Sequence, residues 1–189
     1  MKNLFNYSNL LRQLPLIMLV MVSTISFGQV EWLTFEEAQL RSETEPRKIF
    51  VDVFTDWCIW CKKMDKKTFQ QEEIADYLNA NYYPVKFDAE QKEDLVFDGQ
   101  LYQYVKMGKK GYHEFAYNIL KGMLSYPSIV FIDENLEVIQ PIEGYRGPNE
   151  FSMIISYFAG EYYKTVPWKS YRDSQNPAEV LDHSKVVKH

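Results

Sequence analysis

Two cysteines, Cys58 and Cys61, are separated by two residues and are the only cysteines of the chain. A structural disulfide framework needs several pairs and a closed zinc site usually needs four ligands, so this spacing favours a redox dithiol. A helix that begins near Trp57 would place the Cys58 sulfur against unpaired backbone N–H groups, which stabilise a thiolate. Cys58 is therefore the predicted nucleophile. Cys61, on the same helical face, is the predicted resolving thiol.

Asp52 lies in the apolar segment that precedes the cysteines, residues 49–55. A strand at the centre of a parallel sheet is apolar on both faces, so a carboxylate inside it is costly unless it has a task or a partner. Burial would raise the pKa of Asp52 and allow it to accept a proton from Cys61 during exchange. The alternative is an aspartate at the strand edge that faces water.

Four separated features resemble the thioredoxin family in their order along the chain. Asp52 is followed by W-C-x-x-C-K, and Tyr126-Pro127-Ser128 leads into IVFID as that family's cis-proline loop leads into a strand. Lys86, in YYPVKFD, occupies the position of a family lysine near the buried aspartate, and Gly144 occupies a family glycine position. The resemblance covers about residues 30–160.

The resemblance implies an α/β thioredoxin fold, with a central mixed β-sheet flanked by helices. Residues 89–124 are more than a minimal thioredoxin needs, so we expect a helical insertion before the cis-proline loop. It implies a cis peptide bond at Pro127, with the backbone of Tyr126 pairing with an incoming peptide strand. Trp57 and Trp60 would flank the nucleophile and form part of an apolar docking surface. Lys86 would support Asp52.

A longer match, D-W-C-x-x-C-K-x-M followed by Thr-Phe, resembles the thioredoxin-like domains of bacterial periplasms. These include the reducing domain of the membrane disulfide-transfer reductase. The dipeptide between the cysteines, Ile59-Trp60, lacks the histidine of strongly oxidising relatives. A histidinium there would stabilise the thiolate and make the disulfide more oxidising, so its absence favours the reductive direction.

Residues 1–28 are predicted to be a signal peptide. Lys2 and Arg12 form a positive region, residues 14–27 form a short apolar stretch, and Ser26-Phe27-Gly28 supplies small residues for cleavage. The mature protein would begin at about Gln29 in the periplasm or outside the cell. An uncleaved N-terminal anchor is the alternative.

Composition predicts one domain, residues 29–160, with an insertion at residues 89–124 and a C-terminal extension at residues 161–189 whose distal part is disordered. Within the insertion, residues 95–105 are predicted to be helical. A further short helix is expected near Phe115. The net charge of −5 becomes about −7 without Lys2 and Arg12, so there is no electrostatic case for nucleic acid.

The predicted function is reduction of protein disulfides by a monomeric thiol:disulfide oxidoreductase that needs no metal and no organic cofactor. Electrons would come from a membrane-bound thiol donor, since small soluble reductants are scarce outside the cytoplasm. Two alternatives remain at this point. One is a disulfide oxidase or isomerase, and the other is a binding module with a thioredoxin fold whose cysteines are secondary.

Overall fold

The computed structural model describes residues 28–175, so nearly all of the predicted signal peptide and the distal part of the C-terminal extension lie outside the described residues. The helices are α1 (Phe35–Thr44), α2 (Ile59–Met64), α3 (Glu72–Asn81), α4 (Glu114–Ile119), α5 (Pro148–Ala159) and α6 (Trp168–Ser174). The strands are β1 (Ile49–Phe54), β2 (Tyr83–Asp88), β3 (Leu95–Phe97), β4 (Gln100–Tyr102), β5 (Tyr104–Met107), β6 (Lys110–His113), β7 (Ser128–Ile132) and β8 (Val138–Glu143). A π-helical turn, Asp65–Phe69, continues α2, and a 3-10 turn, Tyr162–Lys164, precedes α6.

The main sheet has four strands in the order β2-β1-β7-β8. β1 pairs in parallel with β2, and β7 pairs antiparallel with both β1 and β8. The parallel pair requires a crossover, which α2 and α3 supply. The predicted fold class, a central mixed sheet flanked by helices, is confirmed.

Alternation along β1 divides its side chains between two faces of the sheet. Phe50 and Asp52 point to one face, where Phe50 packs in a cluster with Met64, Phe69 and Phe151. Because Met64 ends α2 and Phe69 ends the π-helical turn, this is the face that the cysteine-bearing helix covers. Asp52 therefore lies on the side of the sheet that carries the cysteines. Three side chains of β1 on the opposite face belong to a second cluster: Ile49, Val51 and Val53.

The insertion contains two β-hairpins, β3-β4 and β5-β6, followed by the short helix α4. The helix predicted over residues 95–105 is wrong, because this stretch forms three short strands. Burial alternates along β3, with Leu95 and Phe97 inside and Val96 outside, and that period of two belongs to a strand. Phe97 contacts Phe115 of α4 at 5.0 Å between ring centroids, which joins the first hairpin to the helix.

The first part of the C-terminal extension packs against α5. The Tyr171 hydroxyl of α6 lies 2.7 Å from the Ser156 hydroxyl, and the Trp168 ring lies 5.3 Å from the ring of Tyr157. Tyr157 also donates a hydrogen bond to the carbonyl of Val166 at 2.6 Å. Within residues 28–175, no helix has both the length and the apolar character needed to cross a bilayer.

Candidate active site

Cys58 is the N-cap residue of α2, and its sulfur accepts a hydrogen bond from the Cys61 N–H at 3.0 Å. The Cys58 N–H donates to the carbonyl of Thr55 at 3.1 Å, which fixes the turn from β1 into the helix. The two cysteines form a disulfide. When this bond is reduced, an N–H aimed at the Cys58 sulfur stabilises its thiolate, as it does for other cysteines at helix N-termini.

The disulfide is buried, but its surroundings are apolar and exposed. Cys58 and Cys61 are 4% and 3% exposed, whereas Trp57, Ile59 and Trp60 are 58%, 79% and 54% exposed. A reacting thiol must therefore pass close to these three side chains. Exposed aromatic side chains of this size are typical anchors for a protein partner.

Trp57 is held by residues of the insertion. Its Nε1–H donates to Glu90 Oε1 at 3.0 Å, and the Lys110 ammonium lies 5.7 Å from its ring centroid. The ring also meets that of Tyr126 edge-on, with centroids 6.0 Å apart. Glu90 and Lys110 both belong to residues 89–124, so the insertion lies beside the cysteines and forms part of the surface that a partner would meet.

Trp60 is held from the other side of the disulfide. Its ring lies 5.6 Å from that of Tyr145, which follows β8. The Lys63 ammonium lies 4.4 Å from the Trp60 centroid and 5.2 Å from the Tyr145 centroid. Cation–π contacts at exposed sites contribute about 0.5–1 kcal/mol each, enough to bias the orientation of the Trp60 ring.

The peptide bond between Tyr126 and Pro127 is cis. The carbonyl of Pro127 accepts a hydrogen bond from the N–H of Gly144 at 2.7 Å, and Gly144 has a φ of 87°, a backbone conformation that glycine adopts without strain. Burial raises the pKa of the Tyr126 hydroxyl to about 12, and the carboxylates of Glu90 and Asp88 add to this rise. Within residues 28–175, the backbone N–H and carbonyl of Tyr126 have no hydrogen-bond partner.

Asp52 is 1% exposed, and its Oδ1 has no hydrogen-bond partner within the described residues. Lys86 stands opposite it on β2, with Nζ 3.6 Å from Asp52 Oδ2. The same ammonium makes a hydrogen bond to Asp65, at the end of α2. Burial raises the pKa of Asp52 from 3.8 to about 7; Lys86 opposes this rise and Asp65 adds to it. A base with a pKa near neutrality is well matched to accepting a proton from a thiol.

The structure thus brings together the site residues predicted from sequence. Trp57, Cys58, Trp60 and Cys61 lie on or beside α2, Tyr126 contacts Trp57, and Asp52 and Lys86 lie on the sheet face under that helix. The contacts of these residues that the sequence reasoning missed include Asp65, Glu90, Lys110 and Tyr145. Asp65 carried a signal, because a side chain four residues after Cys61 shares its helical face. The other three carried none.

No three or more histidine, cysteine, aspartate or glutamate side chains of residues 28–175 come together in an arrangement that could hold a metal ion.

Residues 22–137 match the model of the family Thioredox_DsbH, which is described as a protein of unknown function, DUF255. The chain is also 34% identical, over 71 residues, to spermatogenesis-associated protein 20 of Mus musculus. That match covers 37% of this chain but only 9% of the mouse protein. The matched part of the chain therefore spans less than a tenth of that relative's length.

Two solved structures share the fold. A thioredoxin-fold protein from Helicobacter pylori is 16% identical with a TM-score of 0.54, and the match covers 68% of this chain and 83% of that one. A thioredoxin from Thermus thermophilus is 16% identical with a TM-score of 0.51, covering 69% and 87%. Identities this low speak for the fold alone, and they confirm the predicted thioredoxin fold.

Proposed function

Because the chain belongs to the Thioredox_DsbH family (DUF255) and to the thioredoxin-like superfamily, we propose that it is a thiol:disulfide oxidoreductase acting on protein disulfides. The observation that carries this proposal is the cysteine pair at the start of α2. Cys58 caps the helix, the Cys61 N–H donates to its sulfur, and the pair closes to a disulfide. A helix N-cap favours a thiolate, which is the reactive form of cysteine.

In the reductive direction, the Cys58 thiolate attacks one sulfur of a substrate disulfide. The bond between the two substrate sulfurs breaks, a mixed disulfide forms with Cys58, and the other substrate sulfur leaves as a thiolate. The Cys61 thiol then gives its proton to the Asp52 carboxylate and attacks the Cys58 sulfur. This step closes the Cys58–Cys61 disulfide and releases the second substrate thiolate, so the substrate gains the two electrons that the cysteine pair loses.

The substrate would dock along Trp57, Trp60 and the loop at Pro127. The two tryptophans supply exposed apolar area, and the backbone of Tyr126 offers an unpaired N–H and carbonyl to an extended peptide. Strand addition of this kind places a peptide by main-chain hydrogen bonds and leaves selectivity to neighbouring side chains. Those neighbours include Glu90 and Lys110 of the insertion.

The proposal has four further parts. The protein acts in the reductive direction, lies outside the cytoplasm, receives electrons from a membrane-bound thiol donor and is a monomer. The Ile59-Trp60 dipeptide supports the direction, since it carries no histidine. The apolar stretch at residues 14–27 supports export. In an oxidising compartment the closed disulfide must be reduced again after each turnover, which calls for a dedicated donor.

Trapping in cells tests the activity. Cys61→Ser should accumulate mixed disulfides through Cys58, because the resolving thiol is missing, whereas Cys58→Ser should trap nothing. Trapping by Cys58→Ser alone would reverse the assigned roles. Biological activity that survives in both variants would favour a binding module whose cysteines are secondary.

The equilibrium potential of the cysteine pair, followed by tryptophan fluorescence in redox buffers, tests the direction. A value near that of thioredoxin, roughly −270 mV, is expected for a reductase, whereas a value near roughly −120 mV would indicate a disulfide donor. Trp57 and Trp60 lie beside the disulfide, so their emission should report its state.

A further inference from the structure

One lysine serves two carboxylates beneath α2. Lys86 makes a hydrogen bond to Asp65 and lies 3.6 Å from Asp52, a distance that allows charge attraction but is too long for a hydrogen bond. The second oxygen of Asp52 has no partner within residues 28–175. Lys86 therefore makes its hydrogen bond to Asp65, although Asp52 is the more deeply buried of the two carboxylates.

Asp65 belongs to the same helical segment as the resolving cysteine. It follows the last residue of α2, and its backbone N–H donates to the carbonyls of Cys61 and Lys62. Its side chain is 35% exposed, compared with 2% for Asp52. Water can hydrate the Asp65 carboxylate, so its charge costs less than a charge on Asp52 would.

We propose that Asp65 is a positioning residue for the exchange reaction: it holds the Lys86 ammonium on its own carboxylate and so leaves Asp52 free to take up the proton that Cys61 releases. The inference rests on the proposed function of the cysteine pair. None of the predicted site residues has this role, and Asp65 acts on Asp52 through Lys86.

The charged groups that face Asp52 determine in which direction its pKa should move when Asp65 is replaced. Lys86 faces it from β2, Asp65 from the end of α2, and the cysteine pair lies on that same helix; the β7 neighbour, Ile129, carries no charge. Without the Asp65 carboxylate, Lys86 would be free to pair with the open oxygen of Asp52. A repulsive charge would be lost and an attractive one gained, and both changes favour the ionised form of Asp52.

The Asp65→Asn variant tests this inference in the full chain with the disulfide closed. Carboxyl-carbon NMR should show the titration midpoint of Asp52 lowered by roughly one pH unit, the size of effect that a close opposite charge has on a carboxyl group. The pH profile for resolution of a mixed disulfide between Cys58 and glutathione should move the same way. Asp65→Glu should keep the wild-type midpoint, and Asp76→Asn, on the exposed face of α3, should leave it unchanged.

A double variant separates positioning from a general structural effect. In a Lys86→Met background, Asp65→Asn should shift the Asp52 midpoint much less, since no ammonium remains to be redirected. An unchanged or raised midpoint in Asp65→Asn overturns the inference, and so does an equal shift with and without Lys86. The NMR titration needs no exchange activity, so its failure is distinguishable from a failure of the cysteine pair to react.

Discussion

Asp52 shows how much a single buried residue can reduce the stability of a fold. It occupies a fully buried position of β1, where every other inward side chain is apolar, and one of its oxygens has no partner in the described residues. A buried polar atom left unpaired costs about 1–3 kcal/mol. A leucine or valine would pack there without this penalty, so the carboxyl group is best explained by the proton transfer proposed for it.

We expect Asp52→Asn to stabilise the oxidised protein at alkaline pH. Folding raises the pKa of Asp52 from 3.8 to about 7, mainly through burial, so the native state favours the protonated carboxyl. Its contribution to stability is full below pH 3.8 and is lost as the pH rises through about 7. Asparagine cannot lose a proton, so the variant should exceed the wild type at pH 9 by up to about 4 kcal/mol.

Urea unfolding at pH 5, 7 and 9, with the disulfide closed, measures this difference. Asp76→Asn is the matched control, because it removes the same charge from an exposed position of α3. This control should change the free energy of unfolding little, because the Asp76 side chain is exposed. Parallel stability curves for the wild type and Asp52→Asn would contradict the assigned protonation of Asp52.

Some residues of the candidate site can be predicted from the sequence, and others cannot. Cys58 and Cys61 are recognisable because both thiols belong to one helical turn, and Asp52 stands out as a charge inside an apolar strand. Glu90 and Lys110 reach Trp57 only through the path of the insertion, which joins positions about 30 and 50 residues away. No local pattern encodes such contacts, so they could not be predicted from sequence.

At the scale of elements, the sequence of the insertion contains a hairpin signal that the prediction overlooked. Asp98-Gly99 separates β3 from β4, and both residues have positive φ, at 48° and 71°. An Asp-Gly pair between apolar residues is a strong signal for a two-residue hairpin turn, and it outweighs the helical spacing that suggested a helix over residues 95–105. The two central strands of the main sheet, β1 and β7, were easier to predict, because their side chains are apolar except at Asp52 and Ser128.

His113 ties the second hairpin to α4 and to the loop beside Trp57. Its Nδ1 accepts the Phe115 N–H at 3.2 Å, and its Nε2 lies 3.1 Å from the carbonyl of Glu93. Both contacts together require a neutral ring with the proton on Nε2. Burial lowers the pKa of His113 below 6.5, although the Glu93 carbonyl and nearby carboxylates oppose this change.

We expect His113→Asn to reduce the acid sensitivity of the fold. The depressed pKa means that the contribution of His113 to stability is full above pH 6.5 and is lost as the pH falls toward the pKa of the folded state. Asparagine keeps an N-cap acceptor but does not titrate in this range. The stability advantage of the wild type over the variant should therefore shrink between pH 8 and pH 5.

Urea unfolding of both proteins across this range provides the test. Asp52 titrates in the same window with the opposite sign, but it is common to both proteins and cancels in their difference. A difference that stays constant from pH 8 to pH 5 would show that His113 binds a proton equally well in the folded and unfolded states, which would contradict its lowered pKa.

At the scale of the whole molecule, one buried lysine joins three distant parts of the chain. Lys48, directly before β1, is 4% exposed and contacts Glu134 at 2.8 Å and also Glu161. Glu134 lies in the turn between β7 and β8, and Glu161 begins the C-terminal extension. Burial alone would lower the pKa of Lys48, but its hydrogen bonds to the two glutamates outweigh this and raise it.

The loss of stability when this cluster is altered should depend on which charge is left without a partner. Replacing both carboxylates, with Glu134→Gln and Glu161→Gln together, leaves a buried ammonium uncompensated, so we expect urea unfolding to show a loss of about 3–5 kcal/mol. Adding Lys48→Met removes that charge and should recover most of the loss, because an apolar side chain of similar length tolerates burial. Lys164→Met, which removes an exposed cation beside Glu161, should change little. If the triple variant were as unstable as the double, the carboxylates would matter for their packing, and the buried charge of Lys48 would not be what links the extension to the sheet.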